Sequence, residues 1–124
     1  MSKPSEPLID GAPVRRFKNP NYKNVGSNLA ELRQKIDLID SQIIELLAQR
    51  ALCVQDATRF KKDAFQVAAP ARQAQVFERV KSQAEAHLEN FPNFPDIVET
   101  TYRTLVAGFI ASEQLLFQKT EIIK

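Results

Sequence analysis

A long apolar stripe across residues 28–62 limits the folds that this chain can adopt more than any other feature. Apolar residues recur there mostly at steps of three and four, at Leu29, Leu32, Ile36, Ile39, Ile43, Leu46, Leu47, Val54 and Ala57. The spacing predicts one amphipathic helix from about Asn28 to about Lys62, and Asn28 with Glu31 fits a capping box at its start. At about 35 residues this helix would far exceed the mean of about 11–12 for globular proteins. A stripe of that length needs an equally long partner surface.

Proline placement marks out the other helices, because proline breaks helix interiors. Pro70 opens a second predicted helix, which runs to about Asn90, and Pro95 opens a third. No alternating strand pattern occurs in the sequence, so the predicted fold class is all-α, with three helices and a long first one. Residues 1–27 hold four of the seven prolines and are predicted to form an N-terminal tail ahead of a helical domain at 28–120.

The composition is that of a folded globular protein, with 44% apolar and 26% charged residues, and it excludes several function classes. The 17 lysines and arginines exceed the 15 acidic residues by a net charge of only +2, which argues against nucleic acid as a partner. One cysteine and one histidine allow neither an intrachain disulfide nor a histidine-rich metal cluster. Since the sequence has no membrane-length apolar run and no secretory signal pattern, we expect a cytoplasmic protein without a membrane partner.

The length of the first helix also predicts a homodimer. Three helices of such unequal length do not close a monomeric bundle, so half of the first helix would expose its apolar stripe to water. A symmetric dimer in which the two long helices pack antiparallel would bury that surface.

Three cations on the first helix indicate an anionic ligand. Arg50 occupies the position that the apolar stripe would take next, and Lys61 returns to within about 20° of the same face about 16 Å further along. Arg33 lies about 25 Å before Arg50, so both arginines reach one small ligand only if two such helices run antiparallel in a dimer. The alternative for each is an ordinary cation whose charged end extends past the stripe into solvent.

Two side chains on the later helices extend this group. Arg72 opens the second helix just after Pro70, and Gln114 lies in the apolar face of the third helix between Ile110 and Phe117. A buried glutamine must find hydrogen-bond partners. A ligand is one such partner, and a neighbouring backbone group is the alternative.

A family resemblance is carried by three segments and two single residues: Leu32-Arg33-Gln-Lys-Ile-Asp-Leu-Ile-Asp40, Leu46-Leu-Ala-Gln-Arg50, Arg59-Phe-Lys61, then Arg72 and Gln114. In this order and spacing they resemble the all-helical chorismate mutase family, which includes an isochorismate-pyruvate lyase branch. The resemblance covers about residues 28–120. It implies an intertwined helical homodimer with two equivalent active sites, each receiving one arginine from the partner chain. It also implies chorismate, a dicarboxylate, as substrate, and its pericyclic rearrangement to prephenate in aromatic amino-acid biosynthesis.

The resemblance implies a role for each candidate residue. Arg50 and the partner's Arg33 would bind the substrate carboxylates, and Arg72 would help to bind the ring end. Lys61 and Gln114 would donate to the ether oxygen, where negative charge grows as the bond breaks. The reaction needs no nucleophile, proton transfer, metal or cofactor, which agrees with a sequence that has no pattern of catalytic histidine or cysteine residues.

Two positions depart from the mutase pattern and leave the reaction open. Gln73 stands where many family mutases carry a glutamate that accepts from the substrate hydroxyl, and Ile110 stands where they often carry a small hydroxyl residue. The stretches Ala57-Thr-Arg-Phe-Lys61 and Ala-Pro-Ala-Arg72 are closer to the lyase branch, whose members convert isochorismate to salicylate and pyruvate. We therefore rank the mutase first and the lyase second. A non-catalytic helical dimerisation or metabolite-binding module is the third alternative.

Overall fold

The computed structural model describes residues 3–87 and 91–124, and within them every regular element is helical. The elements are α1 (Leu29–Ala57), a 3-10 turn (Thr58–Phe60), α2 (Ala64–Ala68), α3 (Pro70–Glu85) and α4 (Phe94–Phe117). The predicted all-α fold with a long first helix is therefore confirmed. The chain divides into two compact units, Met1–Ala48 and Gln49–Lys124, and the division falls within α1.

The start of α1 follows the predicted capping pattern with one difference. Asn28 Oδ1 accepts a hydrogen bond from the backbone N–H of Glu31 at 2.9 Å, as expected. The Glu31 carboxylate accepts in return from the N–H of Ser27 at 3.1 Å, one residue earlier than a capping box requires. This hydrogen bond lowers the pKa of Glu31 below its ordinary value, because it stabilises the ionised carboxylate.

The end of α1 differs from the prediction, because the helix stops at Ala57 and does not continue to Lys62. Thr58 Oγ1 donates to the carbonyl of Val54 at 3.0 Å, and the next residues tighten into the 3-10 turn. Threonine hydroxyls that bond to the preceding turn weaken a helix at that point. Lys61 then adopts extended backbone angles, φ −103° and ψ 135°. Its side chain consequently does not continue the helical face that the sequence predicts.

The segment between the 3-10 turn and α3 forms a short helix that the sequence analysis does not predict. Asp63 caps this helix by accepting from the N–H of Gln66 at 2.9 Å, and the Gln66 side chain accepts from Lys62 N–H at 2.7 Å. The two side chains thus satisfy amides at the start of α2. Ala69 ends α2 in a left-handed conformation, φ 45°, directly before Pro70, which opens α3 as predicted.

The core lies between α3 and α4. Val76 and Val80 of α3 and Val106 of α4 are buried in one cluster. Val67 of α2 is 2% exposed, and α2 also packs against α4. The predicted end of the second helix near Asn90 lies outside the described residues.

α1 has no buried residue, although its apolar stripe is as regular as predicted. Ile36, Ile39 and Ile43 are 54%, 52% and 47% exposed. No helix within residues 3–87 and 91–124 is long and apolar enough to cross a membrane. Exposed apolar surface of this extent is typical of an interaction surface between proteins.

Candidate active site

A cavity of about 320 Å³ in the unit Gln49–Lys124 contains most of the predicted site residues. Its volume falls in the range of small-molecule sites, roughly 300–1,000 Å³. The charged and amide side chains that line it are Arg50, Lys61, Arg72, Gln73, Arg79 and Glu113. Four cations and a single carboxylate in this lining favour an anionic ligand.

Arg50 is held in the cavity with part of its hydrogen-bonding capacity unused. Its guanidinium carbon lies 4.9 Å from the centroid of the Phe109 ring, a cation–π contact that restrains the side chain. Its Nη1 is buried and has no hydrogen-bond partner among residues 3–87 and 91–124. A buried donor without an acceptor costs about 1–3 kcal/mol. A carboxylate ligand in the cavity would supply the missing acceptor.

Lys61 reaches the same cavity from the extended segment after the 3-10 turn. Its Nζ donates to the carbonyl of Gln66 at 3.1 Å and lies 3.9 Å from Glu113 Oε2. The side chain is 22% exposed, so most of it is shielded from water. The position of this ammonium group therefore depends on the extended backbone after α1 and on the contact with Gln66 of α2.

Glu113 lines the cavity, although the sequence pattern does not single it out. It is 5% exposed, lies on α4 and contacts Lys61. Its Oε2 also lies 3.3 Å from Thr58 Oγ1, whose single proton is shared with the carbonyl of Val54. Its neighbour Gln114 is the residue that the sequence predicts at this place, because it lies between Ile110 and Phe117 in the apolar pattern. The signal in the sequence that would have identified Glu113 is its place beside an apolar helical face. A carboxylate in such a place requires a partner.

Gln114 is not among the residues that line the cavity. Its amide nitrogen donates to the carbonyl of Ala64 at 3.0 Å and so connects α4 to the start of α2. This is the backbone partner that the sequence analysis leaves open as an alternative. The role of Gln114 at the ether oxygen stays a prediction.

One face of α3 contributes three polar residues to the cavity. Arg72, Gln73 and Arg79 all line it, and the amide nitrogen of Gln73 is bound to the carbonyl of Ala68 at 2.7 Å. Arg79 is absent from the predicted site. It lies seven residues after Arg72, which is about two helical turns, so helical periodicity already puts the two arginines on one face.

Apolar side chains complete the cavity wall. Val76, Val106, Phe109 and Ile110 line it beside the charged groups. Ile110 thus lines the cavity, where it contributes no hydrogen-bonding group. Apolar walls lower the local dielectric constant and strengthen the interaction between the cations and a bound anion.

Arg33 belongs to the unit Met1–Ala48, where it is an exposed residue of α1. It directly follows Leu32, and Lys35 forms an ion pair with Glu31 at 3.5 Å on the same stretch of helix. Its action in a partner's site stays a prediction. The residues that the structure brings together are Arg50, Lys61, Arg72, Gln73 and Ile110.

Comparison with known proteins agrees with the resemblance noted in the sequence. The family model of chorismate mutase type II matches residues 32–114. A curated protein named chorismate mutase, from Methanocaldococcus jannaschii, is 32% identical to the chain over 60 residues. The aligned region is 48% of this chain and 61% of that relative. The matched range includes every residue of the predicted site.

Proposed function

The chain belongs to the chorismate mutase type II family, and on that premise we propose that it catalyses the rearrangement of chorismate to prephenate. The observation that carries the proposal is the buried Nη1 of Arg50, which has no partner within the described residues and lies in a cationic cavity. Chorismate is a dicarboxylate, and arginine pairs with carboxylates through two parallel hydrogen bonds. The substrate would therefore satisfy a donor that the protein leaves unpaired.

The proposed reaction needs positioning and electrostatic stabilisation only. It is a pericyclic rearrangement in which one bond breaks as another forms, without a nucleophile or a proton transfer. The protein must hold a flexible substrate in its reactive conformation and stabilise the negative charge that grows on the ether oxygen. Fixed cations in a cavity with apolar walls are suited to both tasks.

The proposal gives each residue of the cavity a definite task. Arg50 binds one carboxylate, and Arg72 binds at the ring end of the substrate. Lys61 donates to the ether oxygen, and the carboxylate of Glu113 at 3.9 Å supports the orientation of its ammonium group. Gln114 remains part of the proposal as a second donor to the ether oxygen, which requires that its side chain turn towards the cavity that it does not line here.

We propose that the functional unit is a homodimer in which each cavity receives the partner's Arg33. The regular and exposed apolar stripe of α1, with no buried residue, supports a dimer in which two such helices pack antiparallel. We also propose that residues 28–120 form the catalytic domain and that residues 1–27 precede it as a tail. We propose a cytoplasmic location for the protein. We further propose a small-molecule ligand rather than a nucleic acid, in keeping with a net charge of only +2.

Isochorismate-pyruvate lyase activity is the second candidate function. Gln73 and Ile110 both line the cavity, so it has an amide and an alkyl group where many family mutases carry a carboxylate and a hydroxyl. The lyase substrate is also a dicarboxylate, and the same cations would bind it. The less polar lining is the observation that favours this second reaction.

The purified protein should be assayed with chorismate and with isochorismate in parallel. We expect prephenate from chorismate, and Arg50→Ala should abolish its formation. Arg59→Ala is the matched control, because Arg59 is an exposed arginine paired with Asp56 at 3.0 Å. Salicylate and pyruvate from isochorismate without prephenate would establish the lyase instead. Turnover of neither substrate would favour the non-catalytic module.

The shared site has its own test in mixed dimers. We expect Arg33→Ala and Arg50→Ala to be inactive separately and to recover activity when their subunits are exchanged. A mixed dimer then has one site with both defects and one site with neither. If exchange is verified and activity does not return, Arg33 does not act across the dimer.

A further inference from the structure

The chain before α1 folds back onto the first turns of that helix. The N–H of Ala30 donates to the carbonyl of Ile9 at 2.8 Å, although 21 positions separate the two residues by their numbers. One turn further along α1, Lys35 Nζ donates to the carbonyl of Val25. The first amides of a helix have no partner within the helix itself. The preceding segment supplies a partner for one of them.

Gly26 makes the closest approach in this contact. A Cβ atom at Gly26 would lie 2.8 Å from Cγ and Cδ2 of Leu32, closer than real contacts allow. Gly26 does not have a positive φ, so the backbone itself would accept a side chain. A side chain at this position would therefore displace Leu32 from its place against the segment.

These contacts surround the part of α1 that carries Arg33. Ile9, Val25, Gly26 and Ser27, which we call the N-terminal clasp, contact α1 between Ala30 and Lys35. Arg33 lies within that interval. The clasp therefore restrains the helix immediately before and immediately after Arg33.

We propose that the N-terminal clasp is a positioning element that holds Arg33 in place for the partner's cavity. This inference rests on the proposed function, in which Arg33 completes the site of the other subunit. Helix ends fray, and ordering a side chain at the moment of binding lowers affinity. Because the clasp already holds the first turn of α1, Arg33 can bind in the partner's cavity without this loss of affinity. Gly26 acts through Arg33 and does not itself touch the substrate.

The first test compares Gly26→Ala with Gly11→Ala. A Cβ at Gly11 would lie 3.4 Å from Leu8 Cβ, an ordinary contact, so this substitution is the matched control in the same segment. We expect Gly26→Ala to lower kcat/KM about 3- to 10-fold and Gly11→Ala to leave it within a factor of about two. Circular dichroism and thermal unfolding report whether each variant is folded.

The second test asks whether the clasp acts in trans, which a merely structural role would not do. Two mixed dimers carry the same substitutions in different arrangements and are isolated with two affinity tags. In the first, one chain carries Gly26→Ala and the other Arg50→Ala, so the site that retains Arg50 receives Arg33 from a chain with an intact clasp. In the second, one chain carries both substitutions and the other none, so the site that retains Arg50 receives Arg33 from a chain with a damaged clasp.

We expect the first mixed dimer to be about 3- to 10-fold more active than the second. Equal activity would overturn the inference. If Gly26→Ala does not fold, the same pair is made with Glu31→Ala, which removes the carboxylate that accepts from the N–H of Ser27 in the clasp. Failure of the Arg33 and Arg50 variants to complement would overturn the shared site and this inference with it. Successful complementation with equal mixed dimers would overturn the clasp alone.

Discussion

The guanidinium of Arg50 lies over the ring of Phe109, with 4.9 Å between its Cζ and the ring centroid. The contact joins the second half of α1 to α4, and Arg50 lines the cavity with a buried Nη1 that has no partner within the described residues. The aromatic ring therefore restrains the residue on which the proposed function depends most.

Phe109→Leu should weaken substrate binding and change turnover less. Loss of a cation–π contact of about 0.5–2 kcal/mol predicts a rise in KM of about 2- to 30-fold. Steady-state kinetics measure the effect, with Phe91→Leu as control because Phe91 is 58% exposed. An unchanged KM would show that the ring does not hold Arg50 in its binding position.

Lys61→Ala should lower kcat far more than it raises KM, because Lys61 is proposed to stabilise charge in the transition state. Removal of one such preorganised donor typically costs about 10²- to 10³-fold in kcat. Lys61→Gln should recover only part of the loss, since a donor remains but the charge does not. Lys62→Ala is the control, because Lys62 is the next residue in the chain and its side chain is exposed. A Lys61→Ala enzyme with normal turnover and weakened binding would mean that Lys61 only attracts the dicarboxylate.

Arg79→Gln should lower kcat/KM in a salt-dependent way. Arg79 is exposed and lines the cavity, so its charge attracts an anionic substrate through solvent that salt can screen. We expect a decrease of about threefold at low ionic strength that shrinks at about 0.5 M salt, where screening is nearly complete. Arg103→Gln is the control, because it removes the same charge from α4, where Arg103 lies 3.5 Å from Glu99. We expect it to leave kcat/KM unchanged at both salt concentrations. A decrease that is constant across salt concentrations would indicate direct contact with the substrate.

Thr58→Val should destabilise the fold through its effect on a buried carboxylate. Thr58 is 2% exposed, and its hydroxyl is a partner of Glu113 Oε2 at 3.3 Å. The hydroxyl proton is shared with the carbonyl of Val54 at 3.0 Å, so its loss predicts a decrease of about 0.5–1.5 kcal/mol in the free energy of unfolding. Denaturant titration measures it, and Thr101→Val, at an exposed helical threonine, serves as control. Equal stability of the two variants would contradict a role for the hydroxyl in holding Glu113.

The start of α1 should loosen in acid. The N–H of Ser27 lowers the pKa of Glu31 in the folded chain, so the ionised carboxylate stabilises this end of the helix. The stabilisation is complete above the ordinary pKa of a glutamate, about 4.3, and is lost as the pH falls through the lower folded value. Amide exchange at Ser27 and Glu31 should accelerate in that window, beyond the intrinsic effect of pH. Glu31→Gln should remove this pH dependence, and an identical profile in the variant would contradict the assignment.

Much of the site is visible in the sequence because cations in an apolar helical pattern are conspicuous. Arg50 and Arg72 line the cavity as their positions suggest. Lys61 also lines it, but for a different reason from the predicted one, since it reaches the cavity from extended backbone after α1 has ended. A hydroxyl at Thr58 that bonds back to Val54 is a local event, and apolar periodicity does not report it.

The sequence by itself determined the helical class, the length of the apolar stripe on α1 and the presence of cations within the helical patterns, because these follow from residue type and spacing along a helix. Only the tertiary structure decided that Glu113 and Arg79 line the cavity and that Gln114 bonds to Ala64. Adjacent residues on a helix differ by about 100° around its axis. Which of Glu113 and Gln114 faces the cavity therefore depends on the rotation of α4 against its neighbours, and packing between helices sets that rotation.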